Sequence, residues 1–245
     1  MFQPASLKGI SPVPLDQRIR LKLIPLYLLV IGLSLFPFII FEYTYFFFLW
    51  AQHHYLLFFL LLPLNGILAI YILQISANII SALLLIICKI FFKPKQGEFK
   101  RNLEDKNYKY WNVRNAIKKW PLYLNATNPL PWLKNRFTLR FFGVKIGKNT
   151  ICDNAWISSE FVQIGNNVII GMAASLLSFG FEQNKFILKK IHVMDNVIIG
   201  AKSVLFPGTI IKTSVRLAAH SSTIYDQMLQ EDRTYIGNPA ELQEL

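Results

Sequence analysis

Imidazole is the side chain best suited to moving a proton near neutral pH, and this 245-residue chain has four: His53, His54, His192 and His220. His53 and His54 lie between two long apolar runs and read as interfacial polar residues. His192 follows, after Ile191, the stretch "SFGFEQNKFILKK", which holds Glu182, Lys185, Lys189 and Lys190. A carboxylate there can orient an imidazole or hold an incoming amine, and the lysines can receive a phosphate. The plainer alternatives are an exposed or hydrogen-bonded histidine and a solvated charge cluster. Of the two later histidines, His192 is the preferred base and His220 the second. Cys88 and Cys152 have no metal-ligand spacing and read as small buried hydrophobes, so no metal is expected.

The frame that must position these groups repeats every six residues. Ile146, Cys152, Ser158, Ile164, Ile170 and Leu176 stand at steps of six, with Thr150, Trp156, Val162, Val168 and Ala174 at the fourth position after each. A second register runs through Val193, Ile199, Leu205, Ile211 and Leu217, accompanied by Val197, Ser203, Thr209, Val215 and Ser221. Neither the helical period of about 3.6 nor the strand period of about 2 accounts for this. A parallel β-helix does: each hexad forms one flat side, three close a triangular coil, and the aliphatic residues stack along its axis. Eleven hexads allow about three and a half coils. The 17 residues from Leu176 to Val193 break the register, so one loop is expected to be extruded there, where function often resides.

The hexads resemble the left-handed β-helix of the hexapeptide-repeat acyltransferases. "YIGNPAELQEL" is similar to that family's Gly-Asn-Pro-Ala ending, here Gly237, Asn238, Pro239 and Ala240. More narrowly, "PWLKNRFTLRFFGVKIGKNT", "FVQIGNNVIIGMAASLLSFGFE" and "VIIGAKSVLFPGTII" resemble the membrane C-terminal units of poly-lysine-type nonribosomal peptide synthetases, each unit being two spans plus one such domain. The resemblance implies an acyl or aminoacyl transfer to an amine or hydroxyl at the membrane face. The donor would be acyl-CoA or an acyl- or aminoacyl-phosphopantetheine carrier protein, without metal. Lys185, Lys189 and Lys190 would take the donor's phosphate, while Gly237 to Ala240 close the coil end and shape the donor groove. A single unit implies a homotrimer with active sites between prisms. Members of the family commonly carry a histidine just after the "SLLS"-like stretch as general base, and here that position is Phe179. Two readings follow: an enzyme with a displaced base, drawn from His192, His220 and Glu182, or a noncatalytic trimeric scaffold derived from such an enzyme.

The first ninety residues explain why 53% of the chain is hydrophobic. Leu23 to Trp50 and Tyr55 to Cys88 contain no Lys or Arg, and at about 1.5 Å per residue each exceeds the roughly 30 Å of a bilayer core. In Tyr55 to Cys88, Tyr71, Gln74, Asn78 and Ser81 share one helix face, expected to meet protein rather than lipid. Pro63 suggests a kink, and Glu42 an interfacial acid beside aromatic residues. Residues 1–88 hold four cations against two carboxylates, residues 89–148 fifteen against three, and residues 149–245 seven against nine. The basic flanks of the two spans place both termini and the β-helix on the cytoplasmic side.

In the connector, Tyr110, Val113, Ile117 and Trp120 share a helical face, the pattern of a helix lying flat on an anionic leaflet and ending at Pro121. Aromatic and basic residues also alternate in single-strand binders, but beside a membrane hairpin the lipid membrane is the expected partner and nucleic acid is not. The sequon Asn125-Ala126-Thr127 would be idle in the cytoplasm. The expected organisation is therefore a lead over 1–22, a two-span transmembrane hairpin over 23–92, a basic amphipathic connector over 93–142 and a single-stranded left-handed parallel β-helix over 143–245. The class is a membrane helical hairpin plus an all-β domain with one extruded loop.

Overall fold

A computed structural model describes residues 21–102, 104–126, 133–152, 154–182 and 184–243. The expected lead, apart from Leu21 and Lys22, and Thr127 of the sequon lie outside the described residues. The chain forms two compact units, one gathering residues 18–91 and 113–127, the other 92–112 and 128–245 together with 1–17.

In the helical unit, α1 (Ile24–Tyr45) continues as a π-helical turn, Phe46–Trp50, and α2 runs over Tyr55–Phe91. Both helices are long and apolar enough to cross a membrane. Most of their large side chains, among them Leu28, Phe36, Leu56 and Leu60, face outward. The two helices meet along small residues: Val30, Ser34, Ala69 and Ala77 are buried, and Ser76 Oγ donates to the Ser34 carbonyl at 2.7 Å. Small side chains let the two backbones approach closely. Pro63, expected to kink the second span, lies inside an unbroken α2.

The polar face of α2 has a partner that the sequence did not suggest. A third helix, α3, spans Lys106–Ala126 and runs on through Pro121, which was expected to end it. Proline has no N–H, so the carbonyl four residues back, that of Ile117, loses its intrahelical donor. Ser81 Oγ of α2 donates to that carbonyl at 3.1 Å. Gln74 Nε2 likewise donates to the Leu124 carbonyl in the last turn at 3.2 Å, where helix carbonyls lack internal donors. Asn125 is buried and donates to the Pro121 carbonyl at 2.7 Å. Ile117 is 1% exposed, so the connector is covered by protein at this position, while Tyr110, Val113 and Trp120 of the same face are half-buried.

In the second unit, short strands stack into a parallel coil. Lys145–Ile146, Val162–Ile164, Ile191–Val193, Ile210–Ile211 and Met228–Leu229 form one five-stranded face. The second face runs through Ile169–Ile170, Ile198–Ile199, Arg216–Leu217 and Thr234–Ile236, where Glu241–Leu242 folds back antiparallel, and the third runs through Trp156–Ile157, Ser175–Leu176 and Val204–Leu205. The coil therefore continues past Ser221, where the hexad pattern fades, through the buried Leu229 and Tyr235. Residues with positive φ mark the corners: Asn149, Asn167, Asn196, Ser214 and Asp232 line one edge, and Ala173, Lys202 and His220 another. Asn149 to Asn167 is 18 positions and Asn167 to Asn196 is 29, so one coil carries 11 extra residues.

All ten residues of the second register, Val193 to Ser221, are buried. Its hydroxyls are bonded inside: Ser203 Oγ donates to the Ala218 carbonyl at 2.9 Å, and the Thr209 and Thr223 hydroxyls meet at 2.7 Å. The first register needs correction at Ser158 and Trp156: Ser158, expected inside, is half-buried, and Ile157 pairs with the inward Leu176 in its place. Trp156, expected inside, is 62% exposed, and Ala155, 1% exposed, fills the interior instead. The cause is a hexad one residue short: Ile151 pairs with Ile169, but Trp156 pairs with Ser175. The register is restored between Ile157 and Val162, which pairs with Ile191 across the 29-residue coil.

The 11 extra residues are an antiparallel hairpin, Phe179–Glu182 with Lys185–Leu188. A strand from the connector, Gly97–Lys100, adds to its second arm, pairing Gly97 with Leu188 and Lys100 with Lys185. Part of the connector is thus built into the β unit.

Two substitutions test this packing. At Gly171 an added Cβ would lie 2.4 Å from the Ala201 nitrogen of the next coil, so Gly171→Ala should cost at least about 1–3 kcal/mol by overpacking; Gly32→Ala, with nothing within 4 Å, should cost far less in the same thermal denaturation. Ser81→Ala should cost about 1–3 kcal/mol by orphaning a buried carbonyl. Hydrogen exchange in residues 113–126 should rise in that variant, and Pro121→Ala, which restores the N–H, should cancel the effect.

Candidate functional site

On the five-stranded face the outward positions form a row: Lys145, Gln163, His192, Ile210 and Met228 stand side by side on successive strands. His192 is half-buried in the middle of this row. Beside it lies an open depression of about 410 Å³ whose polar lining includes Lys145, Gln163, Asn166, His192, Asp195 and Thr213. Its rim is fixed by corner hydrogen bonds. Asp195 Oδ1 accepts from the Asn166 backbone N–H at 2.6 Å and from its Nδ2 at 3.3 Å, and Asn166 Oδ1 accepts from the Lys148 N–H at 2.9 Å. Gly165 makes the first of these possible, since a Cβ there would sit 2.3 Å from Asp195 Oδ1.

Burial pushes the His192 imidazole below the usual histidine pKa, and the neighbouring Lys190 ammonium pushes it the same way. Lys190 Nζ is itself held by Gln163 Oε1 at 2.6 Å. The result is an imidazole kept neutral at physiological pH, on a rigid face, beside amide, carboxylate and ammonium groups. A neutral imidazole of this kind accepts a proton, and the amides can hold a polar acceptor.

The other candidate residues lie elsewhere. His220 is exposed at a coil corner with φ 58°, in line with Ala173 and Lys202. Its N–H donates to the Ala201 carbonyl at 2.9 Å and its carbonyl accepts from Asn238 Nδ2 at 3.1 Å. Glu182 stands at the tip of the hairpin, opposite Lys185, and its charge helps raise the pKa of Tyr225, which burial raises more. Among the described residues no hydrogen bond joins His192, His220 and Glu182 to one another within the chain.

Two of the three lysines expected to receive a phosphate have carboxylate partners, and the third, Lys190, is bonded to Gln163. Lys185 meets Glu98 at 3.3 Å, while Lys189 meets Glu98 at 3.4 Å and Asp226 at 2.5 Å. The bond to Asp226 raises the Lys189 pKa, and Lys185 then Lys189 hold the exposed Glu98 carboxyl below its usual range. The ending Gly237 to Ala240 closes onto the last coil: the Gly237 N–H donates to Ser221 Oγ at 3.1 Å, the Ala240 N–H to the Ser222 carbonyl at 2.7 Å, and Gln227 Nε2 to the Ala240 carbonyl at 2.7 Å. Pro239 is exposed and Ala240 buried.

Phe179 has a structural task of its own. Its ring lies 5.1 Å from Trp111 and 6.0 Å from Phe181, in a cluster where Trp111, Tyr108 and Phe186 also touch. Tyr108, Trp111 and Phe186 are buried, so the first turns of α3 and the hairpin share one aromatic core. Gln163, Lys145 and Asp195 were not anticipated at the site. Their only sequence signal was an outward position on a hexad, and which outward residues become neighbours depends on the 29-residue coil.

No protein-family profile matches the sequence, and no curated protein matches it. Among solved structures the chain is similar to a hexapeptide-repeat acetyltransferase from Vibrio cholerae, at 23% identity over 41% of this chain and 61% of that one, TM-score 0.38. It is also similar to a maltose O-acetyltransferase from Clostridium difficile 630, at 17% identity over 61% of this chain and 92% of that one, TM-score 0.42. A third is a galactoside acetyltransferase in complex with coenzyme A, at 16% identity over 61% of this chain and 86% of that one, TM-score 0.45. The chain thus spans less than two thirds of the first of these proteins, and the solved structures it resembles are hexapeptide-repeat acyltransferases.

Proposed function

We propose that the protein is a membrane-anchored acyltransferase that moves an acyl or aminoacyl group from a thioester donor to an amine or hydroxyl, with His192 as general base. The carrying observation is the half-buried imidazole of His192 beside Gln163, Asn166 and Asp195, its pKa lowered by burial and by Lys190. In the reaction the acceptor's N–H or O–H proton passes to the imidazole as its heteroatom bonds to the acyl carbon. The C–S bond then breaks and the thiolate leaves, taking a proton. The donor is acyl-CoA or a carrier-borne phosphopantetheine thioester, and coenzyme A is what the galactoside acetyltransferase holds. Donor and acceptor held in line on one surface would supply much of the rate. The aminoacyl donor and the kinship to synthetase membrane units belong to this reading, on the strength of two apolar helices followed by one coil.

The same reading has the apolar helices in the bilayer, both termini and the coil on the cytoplasmic side, and the protein working as a homotrimer. Self-association is supported by a row of exposed aliphatic side chains, Ile151, Ile169 and Ile198, on the second face, with Met172 and Trp156 exposed beyond it. Such a contiguous apolar patch on a polar coil is the mark of an interface.

A second reading, a noncatalytic trimeric scaffold, is favoured by Phe179, whose ring sits among aromatic partners where a base would be needed, and by the carboxylates that occupy Lys185 and Lys189. Thiol release decides between the two. With detergent-purified protein and a panel of acyl-thioesters, His192→Ala should lower turnover about 10²–10⁴-fold. Equal turnover of both proteins removes His192 from the role, and no turnover with any donor favours the scaffold.

The pH dependence is a separate check. The base works when neutral, so kcat/KM should hold level across neutral pH and fall only as pH drops through a value below the ordinary histidine pKa of about 6.5. Lys190→Gln should move that acid limb upward, because the ammonium is one of the two causes of the depression. For stability the sign is the same: the unfolded chain binds the His192 proton more readily, so folding stability is lost as pH falls below about 6.5.

A further inference from the structure

In residues 113–126, the part of α3 that belongs to the helical unit, the contacts with α2 advance in step. The Ile117 carbonyl accepts from Ser81 Oγ, and the Leu124 carbonyl accepts from Gln74 Nε2. From Ile117 to Leu124 is seven positions up α3, and from Ser81 to Gln74 is seven positions down α2, about 10 Å along each axis at the helical rise. α3 therefore runs beside α2 and antiparallel to it, toward the turn between the two long helices. A helix lying flat on a leaflet would cross an upright span and meet it at one level only.

Charge and burial change along the same path. Arg114, Lys118 and Lys119 stand in the first half, whereas residues 120–126 carry no charge. Arg114 and Lys118 are buried; Lys119 is exposed, its Nζ 5.6 Å from the ring centroid of Tyr27 near the start of α1. In the second half the polar groups turn inward: Trp120 Nε1 donates to Ser34 Oγ at 3.0 Å, and the buried Asn125 bonds within α3. Tyr123 is 65% exposed. Helical side chains lean toward the helix N-terminus, and its ring stacks on Trp120 at 6.4 Å, one turn back toward Lys119. Gln74, level with the end of α3, lies 15 residues before Lys89, the first cation after the apolar run. That is about 22 Å along the axis, against roughly 15 Å for half of a hydrocarbon core. The turns between them expose Leu83, Ile86, Ile87 and Ile90, a surface suited to lipid rather than water.

We infer that α3 is a re-entrant membrane helix: residues 120–126 dip into the cytoplasmic leaflet beside α2, with Tyr123 against lipid acyl chains and Lys119 at the headgroups. In hydrocarbon no water satisfies the last carbonyls of a helix, and Gln74 and Ser81 supply donors in its place. Lys119 reaches the headgroups as a long cationic side chain does, and the uncharged half inserts.

The inference rests on the membrane reading of α1 and α2 and is independent of acyl transfer. The test places the full wild-type chain in phosphatidylcholine nanodiscs with a photoactivatable lipid whose diazirine sits either in the middle of an acyl chain or in the headgroup. The adducts are located residue by residue by mass spectrometry. The mid-chain probe should label residues 120–126 as it labels Ile75, exposed on α2 beside Gln74, and the headgroup probe should label Lys119. Trp156 of the coil, about as exposed as Tyr123, should carry no mid-chain adduct. Labelling of residues 120–126 by the headgroup probe alone overturns the inference, because α3 then lies at the surface. Equal mid-chain labelling of Trp156 and Tyr123 overturns it too, because exposure alone then accounts for the adducts. Absence of mid-chain label from α1 and α2 overturns the membrane reading and this inference with it, whereas label on Ile75 without label on residues 120–126 overturns only the latter.

Discussion

The coil rests on one constraint: each backbone rung must lie at hydrogen-bonding distance above the equivalent rung of the preceding coil, whatever the number of residues between them. Parallel strands hold about 4.8 Å between neighbours, and three of them must close within one coil. The corners therefore turn in the left-handed region, where Asn and Asp are tolerated, and at some positions after the inward residues only glycine fits. Gly147, Gly165, Gly171 and Gly200 each stand where a Cβ would touch the next coil within 2.4 Å. Burial of the aliphatic interior supplies the driving force, but the rung spacing decides which residues can stand where. The flat face bearing His192 is a product of that spacing.

The helical unit obeys a different constraint, the satisfaction of backbone carbonyls near an apolar environment. Pro121 opens a gap in the hydrogen-bond ladder of α3, and Ser81 closes it from the neighbouring helix. Gln74 and Asn125 do the same for Leu124 and Pro121. Breaks in a helix are tolerated when side chains re-satisfy the freed groups. On the polar stripe of α2, Gln74 and Ser81 donate to α3 while Asn78 Oδ1 accepts from its Asn125.

How much of this was legible in the sequence depended on whether the period was interrupted. The second register, Val193 to Ser221, could be read residue by residue because no insertion falls within it. Trp156 misled because one hexad is short by a residue and the next repairs it, which spacing alone cannot reveal without the pairing of Trp156 with Ser175. The break after Leu176 was visible, but its form was not. The hairpin's outer partner, Gly97–Lys100, lies about ninety residues earlier, and long-range pairing leaves no local trace. Pro121 read as a helix end because the rule for proline assumes an isolated helix. At the site, His192 was visible by its residue type, whereas Gln163 and Asn166 are unremarkable amides until the 29-residue coil sets them beside it.

The hairpin leaves the coil and returns with the corner ladder in phase, Asn167 and Asn196 occupying equivalent corners on either side of it. Its length is therefore uncoupled from the scaffold's geometry, because residues added at its tip would alter no rung above or below. Mutation can lengthen or shorten that tip while selection on folding acts on the rungs, so the excursion and the prism can change independently of one another.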